Sequence, residues 1–481
     1  MNAINTKPLV IRDEVHGDIV FDDLARRVID HRFFQRLRYI KQVGLAEYVF
    51  PCATHTRFQH SLGAAYLASQ YFDRVIQEWQ HDPIGFDGSF HSTQFKTKKT
   101  QAIILQIVED GPSLAFWRSV AVLAALLHDV GHGPWSHTFE NLPLKQDYSS
   151  IVAKIPSPIR EYLEDVQASK GGLHHEHLTL IYLHEIFGSL ASDEDAVSTL
   201  DYFIPVATLI HQPLLKSSYK KIILDQIEAT LLKHELKGGI DFLHLLRPLI
   251  SGPFDVDRID YIQRDGRNCG VSLGGIEWRR IVGRLLPCLA EHPNSKGEPE
   301  EVVLISRLNN LHVLDDFVFS LFQMYAQVYL HPKIVGFEEI IRKEISKKQS
   351  TLNLPTITFA RHSTLTDDQF RQWLTTDFGL KDIEELLGRS SSLAFHATRV
   401  APSVQATERM QSKGYEFVDI KDRPMMKDSV GLFIYSTLRD ASGNDHDYDI
   451  QPWTEISPMA EQFFSIRYAP HIWIRINSAV G

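Results

Sequence analysis

The stretch "LLHDVGHGPWSH", residues 126–137, decides how the chain is read. It closes the apolar run "VAVLAALL" at 120–127, which reads as a buried helix, and within twelve residues it sets down His128, Asp129, His132 and His137. Gly131, Gly133 and Pro134 end the helix there, because glycine favours irregular backbone and proline removes an amide donor. Neighbouring helical residues diverge by about 100°, so His128 and Asp129 can meet at one ion only near a helix end or with help from other segments. His60 in "HTRFQHSLG" (55–63) and Asp257 in "GPFDVDRIDYIQRDG" (252–266) are further candidates. Together the four would form a mixed nitrogen and oxygen site for a divalent transition metal such as Fe, Mn, Zn, Ni or Co. Such an ion suits phosphoester hydrolysis, which histidine alone performs poorly. Taken singly, each histidine also fits a plainer role, its ring satisfied by a buried carbonyl.

The rest of the chain limits the setting. With 43% hydrophobic and 23% charged residues among 481, the composition is that of a folded globular protein. A formal net charge of −10 disfavours a chain-wide nucleic-acid footprint. Cys52, Cys269 and Cys288 are too few and too scattered for a disulfide framework, and none forms a C-x-x-C pair. The apolar run at 120–127 is far short of a bilayer span, and "MNAINTKPLV" has no signal-peptide core. A cytoplasmic protein without membrane association is expected.

Apolar residues recur at three- and four-residue spacing from Leu24 through Val28, Phe33, Leu37 and Ile40, the stripe of amphipathic helices. Helical patterning continues to about residue 290, interrupted by a polar connection at 81–99. "EHPNSKGEPE" (291–300) reads as a boundary. Helices resume in 301–400, including an apolar one over "LDDFVFSLFQMYAQVYLH" (314–331), and are expected to pack on the first unit and complete its pocket. Beyond 401, "YEFVDI", "VGLFIYST" and "HIWIRI" alternate as strands do. The expected fold is mainly α, a helical core over 1–290 with a helical extension and a small C-terminal α+β appendage over 401–481.

The ordered set "HTRFQHSLG", "LLHDVGHGPWSH", "HHEH" (174–177) and "DVDRIDYIQRD" (255–265) resembles the HD-domain metal-dependent phosphohydrolases. The resemblance is specifically to the branch containing the sterile-alpha-motif and HD-domain dNTP triphosphohydrolase, in its bacterial-type form without the sterile-alpha-motif domain. The similarity runs from "VIRDEVHGDIVF", beginning at Val10, to "MYAQVYLHPKIVGFEEII", ending at Ile341. It implies an HD helical core and the same four metal ligands, His60, His128, Asp129 and Asp257. It also implies a catalytic His175 oriented by Glu176, with Arg57 on substrate phosphate. His132 and His137 would line the phosphate pocket, where protonated imidazole can meet anionic oxygen. Gln42, Tyr261, Asp265 and Tyr329 match deoxyribose-holding positions, and Arg258 stands where the family has a basic residue.

The activity implied is hydrolysis of a deoxynucleoside triphosphate to deoxynucleoside and tripolyphosphate, with Mg or Mn accompanying the substrate phosphates and a homodimer or homotetramer as the assembly. Asp30, Gln35 and Arg38 match the guanine-reading part of an allosteric nucleotide site found in some relatives. Two departures stand out. Leu321 occupies the place of an arginine that helps hold triphosphate, and Leu9 and Val10 replace a basic residue at the start of the activator segment. The alternatives are an HD phosphohydrolase acting on a nucleoside monophosphate, a phosphodiester or single-stranded nucleic acid, and a catalytically silent nucleotide sensor.

Overall fold

The structure, a computed structural model, describes residues 8–80, 95–170, 172–192, 195, 197–290, 301–349, 356–377, 379–388, 395–398, 404–412, 415–418, 423–424, 432–439, 445–457, 467–468 and 471–475. The fold is mainly helical, with a small C-terminal α+β region. No helix among the described residues is long and apolar enough to cross a membrane.

Gly111–Leu127 is the central helix. Asp110 caps its start by accepting the Ser113 amide at 3.0 Å, and Pro112 sits in the first turn, where a missing N–H costs nothing. Every residue from Val120 to Leu127 is buried, as a helix apolar on all sides must be. It packs closely on Arg57–Gln80, a helix of 24 residues. Both bury alanines, Ala64, Ala65 and Ala68 on one and Ala121, Ala124 and Ala125 on the other, and small side chains let helix axes approach.

Two glycines fix where the remaining site helices lie. A Cβ on Gly63 would stand 1.9 Å from Asp260 Oδ1, so only glycine lets Arg57–Gln80 run against that carboxylate on Val256–Cys269. A Cβ on Gly131 would stand 2.2 Å from the His175 carbonyl oxygen and 2.4 Å from the Thr179 amide. The turn after His128 is thereby pressed against the first turn of His175–Leu190.

A second apolar cluster lies behind that turn. Leu45, Trp135, Phe139 and Leu142 join Phe337, Ile341, Phe370 and Trp373, with the Trp135 and Phe370 rings 5.0 Å apart. The helices Pro332–Gln349 and Asp367–Gln372 therefore lie against the segment that carries Trp135 and Phe139.

The strands that flank residues 291–300 pair with each other. Leu286–Ala290 runs antiparallel to Glu301–Arg307, which runs parallel to Leu432–Arg439, itself antiparallel to Asp445–Pro452. Residues 291–300, expected to form a boundary, lie outside the described residues, and the strands on either side of them are neighbours in one sheet. Trp453, 2% exposed, donates to Asp315 Oδ1 at 3.1 Å and ties the C-terminal region to the Leu311–Met324 helix. The strand-like segments beyond 401 appear as Tyr415–Val418, Leu432–Arg439 and His471–Arg475. Of the polar stretch 81–99, residues 81–94 lie outside the described residues, and Thr97 already opens a helix.

The helix expected over 314–331 is not regular throughout. Leu311–Met324 gives way to a wider turn over Tyr325–Tyr329, closed by the Leu330 amide on the Tyr325 carbonyl at 3.0 Å. Wide turns of this kind are frequent at functional sites, and Tyr329, whose hydroxyl donates to Asp265 Oδ2, ends this one.

Candidate active site

Three helix ends bring the expected ligands together: His60 lies in the first turn of Arg57–Gln80, His128 and Asp129 follow Leu127, and Asp257 lies in the first turn of Val256–Cys269. His60 Nε2 lies 3.2 Å from His128 Nε2 and 3.0 Å from Asp257 Oδ1. His128 Nε2 lies 3.4 Å from Asp257 Oδ1 and 3.4 Å from Asp129 Oδ1. Two ligands about 2.1 Å from one ion stand roughly 3.0 Å apart at a right angle and roughly 3.4 Å apart at the tetrahedral angle. The donor set fits a divalent ion on that measure. Asp257 keeps 35% of its side chain exposed while His60 is fully buried, so the cluster opens to solvent on one side.

Both rings are aimed by their far nitrogens. His60 Nδ1 meets Asp260 Oδ2 at 2.8 Å, and His128 Nδ1 meets the Ala125 carbonyl at 2.7 Å. Ligating imidazoles are commonly oriented in this way. Asp260 is held in turn by His16 Nε2 at 2.7 Å and by Arg264 at 2.9 Å, and Arg264 also reaches Asp13 at 2.9 Å. Burial alone would lower the His60 pKa, but contact with Asp257 and Asp260 outweighs it and raises the ring to about 10. Burial would raise Asp260, yet Arg264, His16 and His60 hold it well below the usual carboxylate range. A cluster so rich in negative charge calls for a cation.

Beside it lies a second cluster. His175 Nδ1 stands 2.7 Å from Glu140 Oε1, with His132 Nδ1 at 3.4 Å and His137 Nδ1 at 3.6 Å from the same oxygen. Donors from these four residues fall within 4.8 Å of one another, so by distance alone they could also surround a cation. At 2.7 Å, however, His175 and Glu140 are closer than two ligands of one ion ordinarily stand, roughly 3.0 Å, and fit an imidazole–carboxylate pair. Burial opposes ionisation of Glu140, but its contacts with His132, His137 and His175 hold its pKa far below the usual carboxylate value.

The carboxylate on His175 is thus Glu140, which corrects the expectation for Glu176. Adjacent positions on a helix point about 100° apart, and Glu176 turns outward to an exposed position. His132 also differs from expectation. Its burial, reinforced by Arg57 and His175, lowers its pKa to about 3, so the ring is neutral and not the cation foreseen. It stacks on His175 at 3.8 Å and places Nε2 3.3 Å from Asp129 Oδ1, linking the two clusters. The His137 side chain is 64% exposed.

Arg57, 3% exposed, places Nη1 on Asp129 Oδ2 and donates from Nε to Ser136 Oγ at 2.8 Å. Gln42 has a buried side-chain oxygen with no hydrogen-bond partner. Asp265 is already engaged: His55 Nε2 meets Oδ1 at 2.7 Å and the Tyr329 hydroxyl donates to Oδ2 at 2.7 Å. The rings of Tyr261 and Tyr329 stand 5.9 Å apart. Arg258 is turned toward its own helix start, with Nη1 2.9 Å from Asp255 Oδ2 and also on the Gly252 carbonyl. Leu321, 1% exposed, lies in the main core.

At the surface, Asp30 ends a short helix, Gln35 donates to the Ile29 carbonyl at 2.7 Å, and the Arg38 guanidinium lies 3.6 Å over the Phe58 ring. Reading the sequence missed Glu140, Asp260, His16, His55 and Ser136. Asp260 left a trace, since Asp257, Asp260 and Arg264 recur at helical spacing. Glu140 stands one turn beyond His137, a weak signal. His16 and His55 left none.

Residues 97–265 match the HD domain family, a span that includes His128, Asp129, His175 and Asp257 but neither Arg57 nor His60. An uncharacterized protein of Methanocaldococcus jannaschii is 26% identical over 345 residues, covering 72% of this chain and 51% of that protein. The deoxynucleoside triphosphate triphosphohydrolase SAMHD1 of Bos taurus is 39% identical over 140 residues, 29% of this chain and 19% of its own length. The chain spans about half the length of the first curated relatives it matches. A crystal structure of a phosphohydrolase from Bacteroides thetaiotaomicron shares the fold at a TM-score of 0.57 and 19% identity, covering 97% of this chain and 99% of that one. Residues 97–265 therefore carry an HD domain, and the chain is similar to proteins of the branch that holds the deoxynucleoside triphosphate triphosphohydrolases.

Proposed function

We propose that the chain hydrolyses deoxynucleoside triphosphates to deoxynucleoside and tripolyphosphate. His60, His128, Asp129 and Asp257 would hold a divalent transition metal, and such an ion supplies phosphoryl polarisation and a water-derived nucleophile at neutral pH. Arg57 presents a planar guanidinium to phosphate oxygen as negative charge develops. His175 gives a proton to the departing 5′-oxygen as its bond to the α-phosphorus breaks. Glu140 supports that step by facing Nδ1, which leaves Nε2 to carry the transferable proton and stabilises the imidazolium. His132, neutral, offers hydrogen bonding without a charge of its own, and His137 reaches the phosphates from the exposed side. Gln42, Tyr261, Asp265 and Tyr329 would bound the sugar, and Arg258 would back that wall.

One observation carries the reading. His132 stacks on His175 and reaches Asp129, so the proton donor stands beside the ligand cluster, as hydrolysis at a metal-held phosphate requires. Similarity to the triphosphohydrolases supports the substrate class. The test is a panel of the four deoxynucleoside triphosphates with Mn or Mg, with and without GTP, followed by product analysis. Tripolyphosphate release is expected, and stimulation by GTP would support a nucleotide site at Asp30, Gln35 and Arg38. Orthophosphate or pyrophosphate alone, or no turnover of any of the four, contradicts the proposal.

A second reading rests on Leu321. Its burial in the core leaves no cation at the position where relatives hold triphosphate. That favours a phosphoester with fewer phosphates, and turnover of nucleoside monophosphates or single-stranded oligonucleotides with triphosphates inert would establish it.

A further inference from the structure

One carboxylate from the C-terminal helical region reaches the wall of the candidate site. Asp367 opens the helix Asp367–Gln372 and is 6% exposed. Its Oδ2 accepts the backbone amide of Lys41 at 2.8 Å, and its Oδ1 accepts that of Trp135 at 2.8 Å. These amides belong to the two segments that enclose Arg57. Trp135 precedes Ser136, whose hydroxyl accepts from Arg57 Nε at 2.8 Å and donates to the Lys41 carbonyl at 2.6 Å. Asp367, Trp135, Ser136 and Lys41 thus form a closed ring of contacts on which the Arg57 guanidinium rests.

The ring holds an unfavourable backbone in place. Trp135 and Ser136 have φ of +55° and +54°, a region that residues with side chains seldom adopt and that persists only where surroundings hold it. Asp367 contributes by accepting at both oxygens at once. A carboxamide of the same shape has one acceptor and would turn an NH2 group toward the other amide. The packing of Phe370 against Trp135 and Phe139, with rings 5.0 Å and 5.2 Å away, fixes the helix from which Asp367 projects.

We propose that Asp367 is a positioning residue for phosphate recognition: it holds the Lys41 and Trp135 amides, and through Ser136 it sets the guanidinium of Arg57. The proposal rests on the reading of Arg57 as a phosphate-binding group. It gives the second apolar cluster a role in substrate binding.

The test uses the full chain loaded with Mn, with inorganic tripolyphosphate binding by calorimetry as the main probe and deoxynucleoside triphosphate turnover beside it. Asp367→Asn should raise the tripolyphosphate Kd, and KM where there is turnover, by roughly tenfold. It should leave kcat and bound metal near those of the parent. The exposed neighbour variant Asp368→Asn should change neither. Ser136→Ala cuts the connection to Arg57 without touching either Asp367 bond, and should weaken binding similarly even if Asp367→Asn folds poorly. In an Arg57→Ala background, Asp367→Asn should add little, because residues acting through one group are not additive.

Parent-like binding by Asp367→Asn or Ser136→Ala overturns the proposal, as does an equal added loss without Arg57. A parent chain that does not bind tripolyphosphate overturns it too. Binding that follows the expected pattern without triphosphate turnover would remove the triphosphohydrolase reading and leave the positioning role standing.

Discussion

The ligand cluster and the imidazole cluster meet at Asp129 and are built in opposite ways. The first is set on long helices, and each ring is aimed by a buried partner, Asp260 behind His60 and the Ala125 carbonyl behind His128. The second joins His175, at the start of His175–Leu190, to groups carried by the segment after Gly131, where Trp135 and Ser136 adopt positive φ and His137 is largely exposed. Rigid elements with satisfied surroundings suit groups that must hold one geometry, whereas a tied turn suits groups that must meet a substrate. Damage to the first should therefore remove the metal, and damage to the second should spare it.

The largest effect is expected from replacing His128 and Asp129 together by alanine. Bound metal, measured by elemental analysis, should fall to background, and turnover should drop by at least about 1,000-fold. Retained metal in that variant would mean that the ligands lie elsewhere. Next comes Glu140→Gln, which keeps the shape but removes the charge facing His175: kcat should fall roughly 100-fold with metal content unchanged.

Glu140 also makes a pH prediction. Its folded pKa lies below the unfolded value of about 4.3, so its contribution to stability is complete above that value and is lost as the pH falls. The gap in Tm between parent and Glu140→Gln should be widest above about pH 5 and narrow steadily below it. A gap that widens in acid would reverse the assignment.

A smaller effect is expected from Asp260→Asn, which loosens the ring orientation of His60 without removing a ligand. Metal Kd should rise about 10- to 100-fold, read by competition with a chelating dye, and an unchanged Kd would make the Asp260–His60 contact incidental. Smallest is Gly63→Ala. The added Cβ would press on Asp260, and overpacking of this kind costs about 1–3 kcal/mol, visible as a lower Tm. Parent-like melting would show that the helices shift freely there.

The sequence and the structure agree most closely where local chemistry was unusual. His128 beside Asp129 at a glycine-broken helix end is conspicuous in the chain, and the fold brings His60 and Asp257 to it. The helical first half and the C-terminal strands were readable from periodicity. What could not be read depends on contacts between distant segments. Glu140 takes the place expected of Glu176 because the turn at Gly131 folds residue 140 back onto His175, a geometry that spacing alone does not reveal. Asp260 is set against His60 by Gly63, and His16 reaches it across 244 positions. Asp367 lies 232 positions from Trp135. The strands on either side of 291–300, Leu286–Ala290 and Glu301–Arg307, pair in one sheet, and composition does not reveal such pairing across a polar segment.

The most direct test of the division between the clusters is a side-by-side measurement of bound metal and tripolyphosphate release for His175→Ala and the parent. His175→Ala should keep the parent's metal stoichiometry while tripolyphosphate release falls by roughly 100-fold or more. Loss of metal from that variant, or release at the parent's rate, would contradict that division.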